Sequence, residues 1–284
     1  MLGIALGLAS SIAWGISDFL GGVQTRRLPA LSVLIVSQPV GFVLAGAIAL
    51  ASGPDPLSTG QAGVAVAAGS AGVLALGCFY VAMATGTISV VAPVASLGVV
   101  VPVTVGLARS EDPAGIQIAG LALALLGIAL ALREPEHPDA ASTSLRSVLL
   151  AAAAGLGFGA FLVGMDIAAN ADAIWAMTYA RVGGVSAVAL AAVAALAIAP
   201  SALRFSREAV PVLLAIGFFD ILANTLFAFA SREELLSLVA VAGSLYPVVT
   251  ILLARFVLGE RLAPVQRAGV VLALTGTALL AAGS

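Results

Sequence analysis

The sequence predicts an all-α membrane protein with ten transmembrane helices arranged as two inverted five-helix repeats. Three observations predict it: 61% of the 284 residues are hydrophobic, only 9% are charged, and the apolar residues form long runs separated by short polar breaks. A soluble domain carries roughly 25% charged residues, so the composition excludes a soluble globule. Since a spanning helix takes about 20 residues, ten helices use about 200 residues and leave no room for a soluble domain.

Composition also restricts the partners and cofactors. All 12 basic residues are arginine and the net charge is −2, which argues against a nucleic-acid partner. Cys78 and His137 are each the single residue of their type, so an internal disulfide and a Cys/His zinc site are excluded. We therefore expect no metal and no cofactor. The first apolar run follows no basic segment and continues to Gly22, which predicts a spanning helix instead of a cleaved signal peptide.

Ten apolar runs define the predicted helices, in order along the chain. They cover residues 2–23, 31–51, 62–84, 88–108, 114–132, 147–169, 173–199, 209–230, 235–257 and 263–281. Short breaks rich in Gly, Pro, Asp and Asn separate them, as expected for turns. The longest polar stretch lies at the midpoint of the chain. This predicts a first repeat at residues 1–132, a linker at 133–146 and a second repeat at 147–284.

The two halves resemble each other in sequence. The segment Trp14–Gly22 aligns with Leu156–Gly164. Near the end of each half the matched pairs are Glu111 with Glu260, Gln117 with Gln266, Gly120 with Gly269, and Gly127 with Gly276. Because five helices are an odd number, the second repeat enters the membrane in the opposite direction. Inverted repeats of this kind are typical of secondary transporters, whose substrate site lies near the midplane between the halves.

Small residues predict close helix packing. Gly3 and Gly7, and later Gly155 and Gly159, form GxxxG pairs, which allow helix backbones to approach one another. We expect these glycines to pack against neighbouring helices, without a role in substrate binding.

Motifs in both halves resemble a known family. They are Ala13-Trp14-Gly15 in the first helix, Ser244-Leu-Tyr246-Pro247 in the ninth, the corner Leu258-Gly259-Glu260-Arg261-Leu262, and Gln266 with Gly269. In these motifs and in the duplicated ten-helix layout, the chain resembles the EamA family of the drug/metabolite transporter superfamily. The resemblance implies a secondary transporter of small metabolites, often an exporter. The first half departs from the pattern, because Gly98 stands where Pro247 stands in the second.

Two acids in the predicted spans are candidate functional residues, because an ionisable group in hydrocarbon costs about 2.5–3.5 kcal/mol on insertion scales. Asp18 is expected to face the cavity as a proton carrier or a cation-binding carboxylate, or else to lie at the interface paired with Arg26. Asp220 is the deepest acid, and Asn224 follows it one turn later on the same face. For Asp220 we expect a cavity role, with an interhelical hydrogen bond as the alternative.

Arg181 is the only arginine well inside a predicted span. Because it keeps its charge, it requires a carboxylate, backbone carbonyls or an anionic substrate. Gln38 is the polar residue at the corresponding depth of the first repeat. The sequence predicts a substrate-binding or gating role for both, and the alternative for Arg181 is an ion pair to a neighbouring helix or snorkelling to the interface.

Aromatic residues and prolines complete the candidate site. The candidate cavity aromatics are Trp14, Tyr80 and Tyr246, which would otherwise belong to an interfacial belt or to ordinary packing. Pro247, like Pro93 and Pro102, lies within a predicted helix. A proline there removes one backbone hydrogen bond and frees a carbonyl, which in transporters can line the substrate site.

The motifs of the chain do not predict an enzyme. HExxH, GxSxG and phosphate-binding loops are absent, and the single histidine lies in the predicted linker, away from any serine in a span. The sequence predicts a multi-pass secondary transporter of the bacterial inner membrane. Its expected partners are a small-molecule substrate, the lipid bilayer and, if transport is proton-coupled through Asp18 or Asp220, protons; no obligate protein partner is evident. The alternatives are a lipid-linked metabolite flippase and a non-transport receptor or assembly subunit.

The arginines also predict an orientation. Loops alternate between the two sides of the membrane, and one side receives Arg26, Arg27, Arg133, Arg146, Arg204, Arg207, Arg255, Arg261 and Arg267. The other side receives only Arg109 and Arg232. The positive-inside rule places the first group in the cytoplasm and therefore both termini outside. The family resemblance implies the opposite, with both termini in the cytoplasm.

Overall fold

Among its described residues, the computed structural model is helical and contains no strand. It describes residues 2–53, 55–85, 91, 94–109, 113–131, 144–199, 202–257 and nine helical positions between 264 and 279. The helices are α1 (Leu2–Thr25), α2 (Ala30–Ser52), α3 (Thr59–Thr85), α4 (Val100–Ala108), α5 (Gly115–Ala131), α6 (Leu145–Ala169), α7 (Ala173–Ile198), α8 (Val210–Glu233), α9 (Leu236–Gly243) and α10 (Tyr246–Val257).

Within the described residues, six helices are long and apolar enough to cross a membrane: α1, α2, α3, α6, α7 and α8, the last with the 3₁₀ turn before it. Their predicted counterparts are confirmed to within a few residues at each end. Shorter apolar helices occupy residues 94–106, 115–127 and 236–250. The predicted tenth helix at 263–281, the linker at 133–143 and the paired acids Glu111 and Glu260 lie largely or wholly outside the described residues.

Polar residues fix where the long helices begin and end. Asp172 precedes α7, and its carboxylate accepts hydrogen bonds from the backbone N–H groups of Ile174 and Trp175, both at 2.9 Å. These bonds satisfy two of the amide groups that the first turn leaves without helical partners. At the end of α2, Gly53 has φ of 116°, a conformation that residues with a Cβ rarely adopt. The chain can therefore turn directly into the loop before α3.

Two helices that the sequence predicts as continuous are interrupted. The predicted helix 235–257 ends as α9 at Gly243 and resumes as α10 at Tyr246, and the predicted helix 88–108 contains a 3₁₀ turn at Leu97–Val99 before α4. Each interruption lies just before a proline, Pro247 or Pro102. Because proline has no backbone N–H, the carbonyls of Gly243 and Gly98 lose their helical hydrogen bonds there. The two interruptions lie in corresponding apolar runs of the two halves, with Ser96-Leu97 in the first and Ser244-Leu245 in the second.

The two halves pack against each other in a crossed arrangement. α1 packs along α8 and against α9 and α10, whereas α6 packs along α3 and against the interrupted segment before α4. Ser10 and Ser17 of α1 donate hydrogen bonds to the carbonyls of Ala223 (2.8 Å) and Ile216 (3.1 Å) on α8. Polar groups within lipid have no water as a hydrogen-bond partner, so serine hydroxyls that bond across helices stabilise the packing of those helices. The first helix of each half is therefore held by helices of the other half.

The GxxxG glycines lie in these contacts, which confirms their predicted packing role. A Cβ at Gly155 or Gly159 would lie 2.8 Å from the carbonyl oxygen of Ala95 or 2.6 Å from that of Gly98. A Cβ at Gly7 would lie 3.0 Å from the Cβ of Ala242. The short helix α9 and the 3₁₀ turn before α4 can approach the long helices only because these positions lack side chains.

Apart from Arg181, which lies within α7, the described arginines lie at the two ends of the helices as the sequence predicts. The backbone N–H of Arg204 donates to the Ser32 hydroxyl at 3.0 Å, so the loop before α8 lies beside the α1–α2 turn with its two arginines. The hydroxyls of Thr85 and Ser147 are 3.1 Å apart, which places Arg146 at the same end. At the opposite end, the guanidinium of Arg109 contacts the Asp166 carboxylate at 2.7 Å. The side chains of Arg133, Arg255, Arg261 and Arg267 lie outside the described residues.

Candidate functional site

A central cavity lies between the two halves of the chain. The space open to the centre of a water molecule is about 100 Å³. Both halves contribute to its walls, and the polar lining residues are Asp18, Gln38, Ser96, Arg181, Asp220, Asn224, Ser244 and Tyr246. The apolar wall includes Trp14, Val73, Leu76, Phe158, Phe161 and Leu162. A largely apolar cavity with a few convergent polar groups is the usual form of a small-molecule site.

One wall of the cavity carries a buried charge cluster built from three helices. Arg181 on α7 donates to the carboxylate of Asp220 on α8 at 2.6 Å and to the side-chain oxygen of Gln38 on α2 at 2.9 Å. Asn224 donates its side-chain N–H to the other carboxylate oxygen of Asp220 at 2.9 Å. The four residues are between 3% and 8% exposed. Arg181 thus has the ion-pair arrangement that the sequence offered as the alternative to a substrate contact, with Asp220 as its partner.

This cluster neutralises itself. The charge of Arg181 balances that of Asp220, and Gln38 bridges the pair, because its side-chain N–H lies 3.4 Å from the Asp220 carboxylate. A buried ion pair needs additional hydrogen bonds, and Gln38 and Asn224 supply them to the Asp220 carboxylate, whereas the Nε of Arg181 has no partner among the described residues. The cluster ties α2, α7 and α8 together beside the cavity.

Asp18 lies on α1 at the same cavity and is nine-tenths buried. Among the described residues it has no hydrogen bond and no ion pair. The Asp18–Arg26 pair that the sequence offered is therefore absent from the described contacts. A buried carboxylate without a partner is costly as an anion, so it favours binding a proton or a cation.

Two of the three predicted aromatic residues line the cavity. Trp14 lines the cavity, and its ring centroid lies 5.7 Å from that of Phe227. Tyr246 lines the cavity at the start of α10. Tyr80 is fully buried but is not a lining residue; it packs against Gly21 of α1. Pro247 is not a lining residue either, and it directly follows the interruption between α9 and α10.

Several lining residues were not singled out from the sequence. They include Ser96, Gly98, Phe158, Phe161, Gly243 and Ser244. A signal for two of them is present in the chain, since Gly98 and Pro102 have the same spacing as Gly243 and Pro247. A Gly-x-x-x-Pro pattern in the corresponding apolar run of each half points to two interrupted helices. Phe158 and Phe161 carry no comparable signal, because phenylalanine is common on lipid-facing surfaces as well.

Comparison with known proteins agrees with this architecture. A family model described as the EamA-like transporter family matches the chain twice, over residues 1–133 and 145–282. A crystal structure of another protein is similar at 17% sequence identity with a TM-score of 0.75, covering 98% of this chain and 95% of that one; at this identity the likeness concerns the fold. No curated protein matches the chain.

Proposed function

Because the chain belongs to the EamA-like transporter family, we propose that it is a secondary transporter that exports a small metabolite through the central cavity. The observation that carries the proposal is the cavity itself, which is lined by both halves and contains a buried, unpartnered carboxylate. Alternating access requires a site that both sides of the membrane can reach in turn, and the boundary between two repeats provides one.

The proposal includes ten membrane spans in two inverted repeats. The crossed packing supports it, because α1 contacts the interrupted helix of the second half and α6 contacts that of the first. The chain around 94–108 and 236–257 then forms the fourth and ninth spans, each broken beside the cavity. Freed carbonyls at such breaks can contact substrate or ions.

We assign proton coupling to Asp18 in preference to Asp220. Asp220 is balanced by Arg181 at 2.6 Å, and protonating it would leave the buried guanidinium without its counter-ion. Asp18 has no such partner among the described residues. It can gain or lose a proton without breaking an ion pair, which is what a carrier has to do in each cycle.

A flippase for a lipid-linked metabolite is the second candidate within membrane transport. It would require an opening from the cavity to the lipid that is wide enough for the lipid anchor. A receptor or assembly subunit would not require the unpartnered acid of the cavity. Localisation in the bacterial inner membrane agrees with the family and with the composition of the chain.

Transport into proteoliposomes tests the proposal. With a pH gradient imposed across the vesicle membrane, we expect the purified protein to move one or more members of a panel of labelled amino acids, amines and organic acids faster than empty vesicles do.

Asp18→Asn should abolish the pH-driven flux, because the amide cannot carry a proton. The matched control is Asp166→Asn, which changes a buried acid outside the cavity lining and should retain the flux. Unchanged pH-driven flux in Asp18→Asn refutes the proton assignment, whereas no flux for any solute refutes transport.

Orientation in the membrane has a separate test. Five described arginines (Arg26, Arg27, Arg146, Arg204 and Arg207) lie at one end of the helices, and Arg109 and Arg232 lie at the other, so we expect the first end to be cytoplasmic. Gly3 at the start of α1 packs against Glu234 after α8, at the end with fewer arginines. Because an even number of spans, the ten proposed, places both termini on the same side, a C-terminal reporter active only in the periplasm should give a signal. Fluorescence from a fusion that matures only in the cytoplasm, without that signal, would show that the charge rule fails for this chain.

A further inference from the structure

We propose that the transported metabolite is a small organic cation, an amine with an apolar body, whose positive charge pairs with Asp18; this substrate class rests on the proposed transport function. The assignment of this substrate class rests on Asp18. A protonated amine is the group that a buried carboxylate without a partner binds best, because the two charges form hydrogen bonds that are stronger than neutral ones.

The charge balance of the cavity supports a cation. Among the described lining residues, the charged side chains are Asp18, Arg181 and Asp220. Arg181 and Asp220 neutralise each other, so Asp18 leaves the cavity with a charge of −1 when it is ionised. A monocation restores neutrality in a site with little water. An anion would enter against the field of Asp18, and the Nη1 group of Arg181 is already bonded to Asp220 and Gln38.

The surroundings of Asp18 also favour positive charge. Trp14, one turn before it, and Tyr246 both line the cavity, and aromatic faces attract cations. α9 ends at Gly243 in the cavity wall, where the carbonyl that Pro247 leaves free and the negative end of the helix dipole lie together. The indole of Trp14 lies against this helix end, since a Cβ on Gly243 would be 3.3 Å from its ring.

The apolar part of the cavity wall determines the size and polarity of the uncharged part of the substrate. Val73, Leu76, Phe158, Phe161 and Leu162 contribute apolar surface to the cavity wall. In a space of about 100 Å³ for water centres, this surface accommodates a compact hydrocarbon or aromatic body. A multiply charged or strongly hydrated solute would lose its water there without replacement.

The same carboxylate then serves proton and substrate in turn. The titratable groups that face Asp18 are Asp220 on α8, Tyr80 on α3 and Tyr246 on α10, and none of them is cationic. Arg181 is held by Asp220. A proton and an organic cation therefore compete for Asp18, so binding of one requires release of the other. Competition of this kind converts an inward proton gradient into outward transport of the cation.

A series of probes that share one phenylethyl body tests the charge assignment. Phenethylammonium, 2-phenylethanol and 3-phenylpropionate share one aromatic body and differ in charge. We expect the detergent-purified protein to bind phenethylammonium about tenfold or more tightly than the other two, the size of one charge-assisted hydrogen bond. Its affinity should fall as the pH is lowered, because protons occupy Asp18. Isothermal titration calorimetry at several pH values measures both effects.

Variants separate this inference from the proposed function. Asp18→Asn should lose the preference for phenethylammonium and its pH dependence, whereas Asp166→Asn should keep both. Tighter binding of 3-phenylpropionate, full phenethylammonium affinity in Asp18→Asn, or no phenethylammonium binding at about 10 mM, where even a Kd of about 1 mM would give near saturation, would each overturn the cation assignment. pH-driven flux of a neutral or anionic solute in proteoliposomes would then leave the transporter function standing.

Discussion

Replacing Arg181 by methionine is expected to lower the free energy of unfolding by about 3–5 kcal/mol, the usual cost of leaving one member of a buried ion pair without its partner. The substitution removes the 2.6 Å contact to Asp220 and the 2.9 Å hydrogen bond to Gln38. The Asp220 carboxylate would then be a second unbalanced acid beside the cavity. Unfolding by titration with SDS, followed by the helical circular dichroism signal, measures the change.

A second variant distinguishes a lost partner from lost packing. Arg181→Met combined with Asp220→Asn removes both charges and keeps an amide that Asn224 and Gln38 can contact. We expect this double variant to recover most of the stability, because the penalty comes from the uncompensated charge. A double variant as unstable as Arg181→Met alone would show that the guanidinium acts through packing instead.

The pair between Arg109 and Asp166 provides a matched control. Its contact is just as short, 2.7 Å, but the Arg109 side chain is 42% exposed, against 7% for Arg181. Water and salt screen an exposed pair, so Arg109→Met should cost less than about 1 kcal/mol. Equal losses in the two methionine variants would contradict the importance of burial.

Hydropathy predicted the long helices because a membrane requires long apolar runs, and a run of that length has one favourable structure in lipid. The interruptions at 97–99 and 244–245 were harder to predict. Pro102 and Pro247 showed that a hydrogen bond had to be missing, but many membrane helices contain a proline and only bend. Whether the helix bends or breaks depends on the space around it, and here Gly155 and Gly159 supply that space from a distant part of the chain.

The members of the site were predictable from depth, but their pairing was not. A polar residue inside an apolar run stands out, which is how Asp18, Arg181 and Asp220 were found. Sequence gives the depth of each residue along its helix, but not the rotation of that helix relative to its neighbours. For that reason Asp220, the deepest acid, was as good a candidate for the proton carrier as Asp18. Only the contact with Arg181 separates a neutralised carboxylate from an unpartnered one.

Introducing a methyl group at Gly69 is expected to disrupt the fold more than any other single-methyl change on α3. The Cβ of Gly69→Ala would overlap the carbonyl oxygen of Ala180 and lie within 2.6 Å of its Cα. Both are backbone atoms, so no side-chain rotation can relieve the overlap, and α3 and α7 must separate beside the charge cluster. We expect a loss of about 3 kcal/mol or more, at the upper end of overpacking costs, seen as unfolding at a lower SDS fraction.

Gly63→Ala is the matched control on the same helix, where nothing lies within 4 Å of the new methyl. That variant should be neutral or more stable by up to about 1 kcal/mol, since alanine favours the helix over glycine. Unfolding of both variants at the same SDS fraction would show that α3 and α7 are not in backbone contact at Gly69.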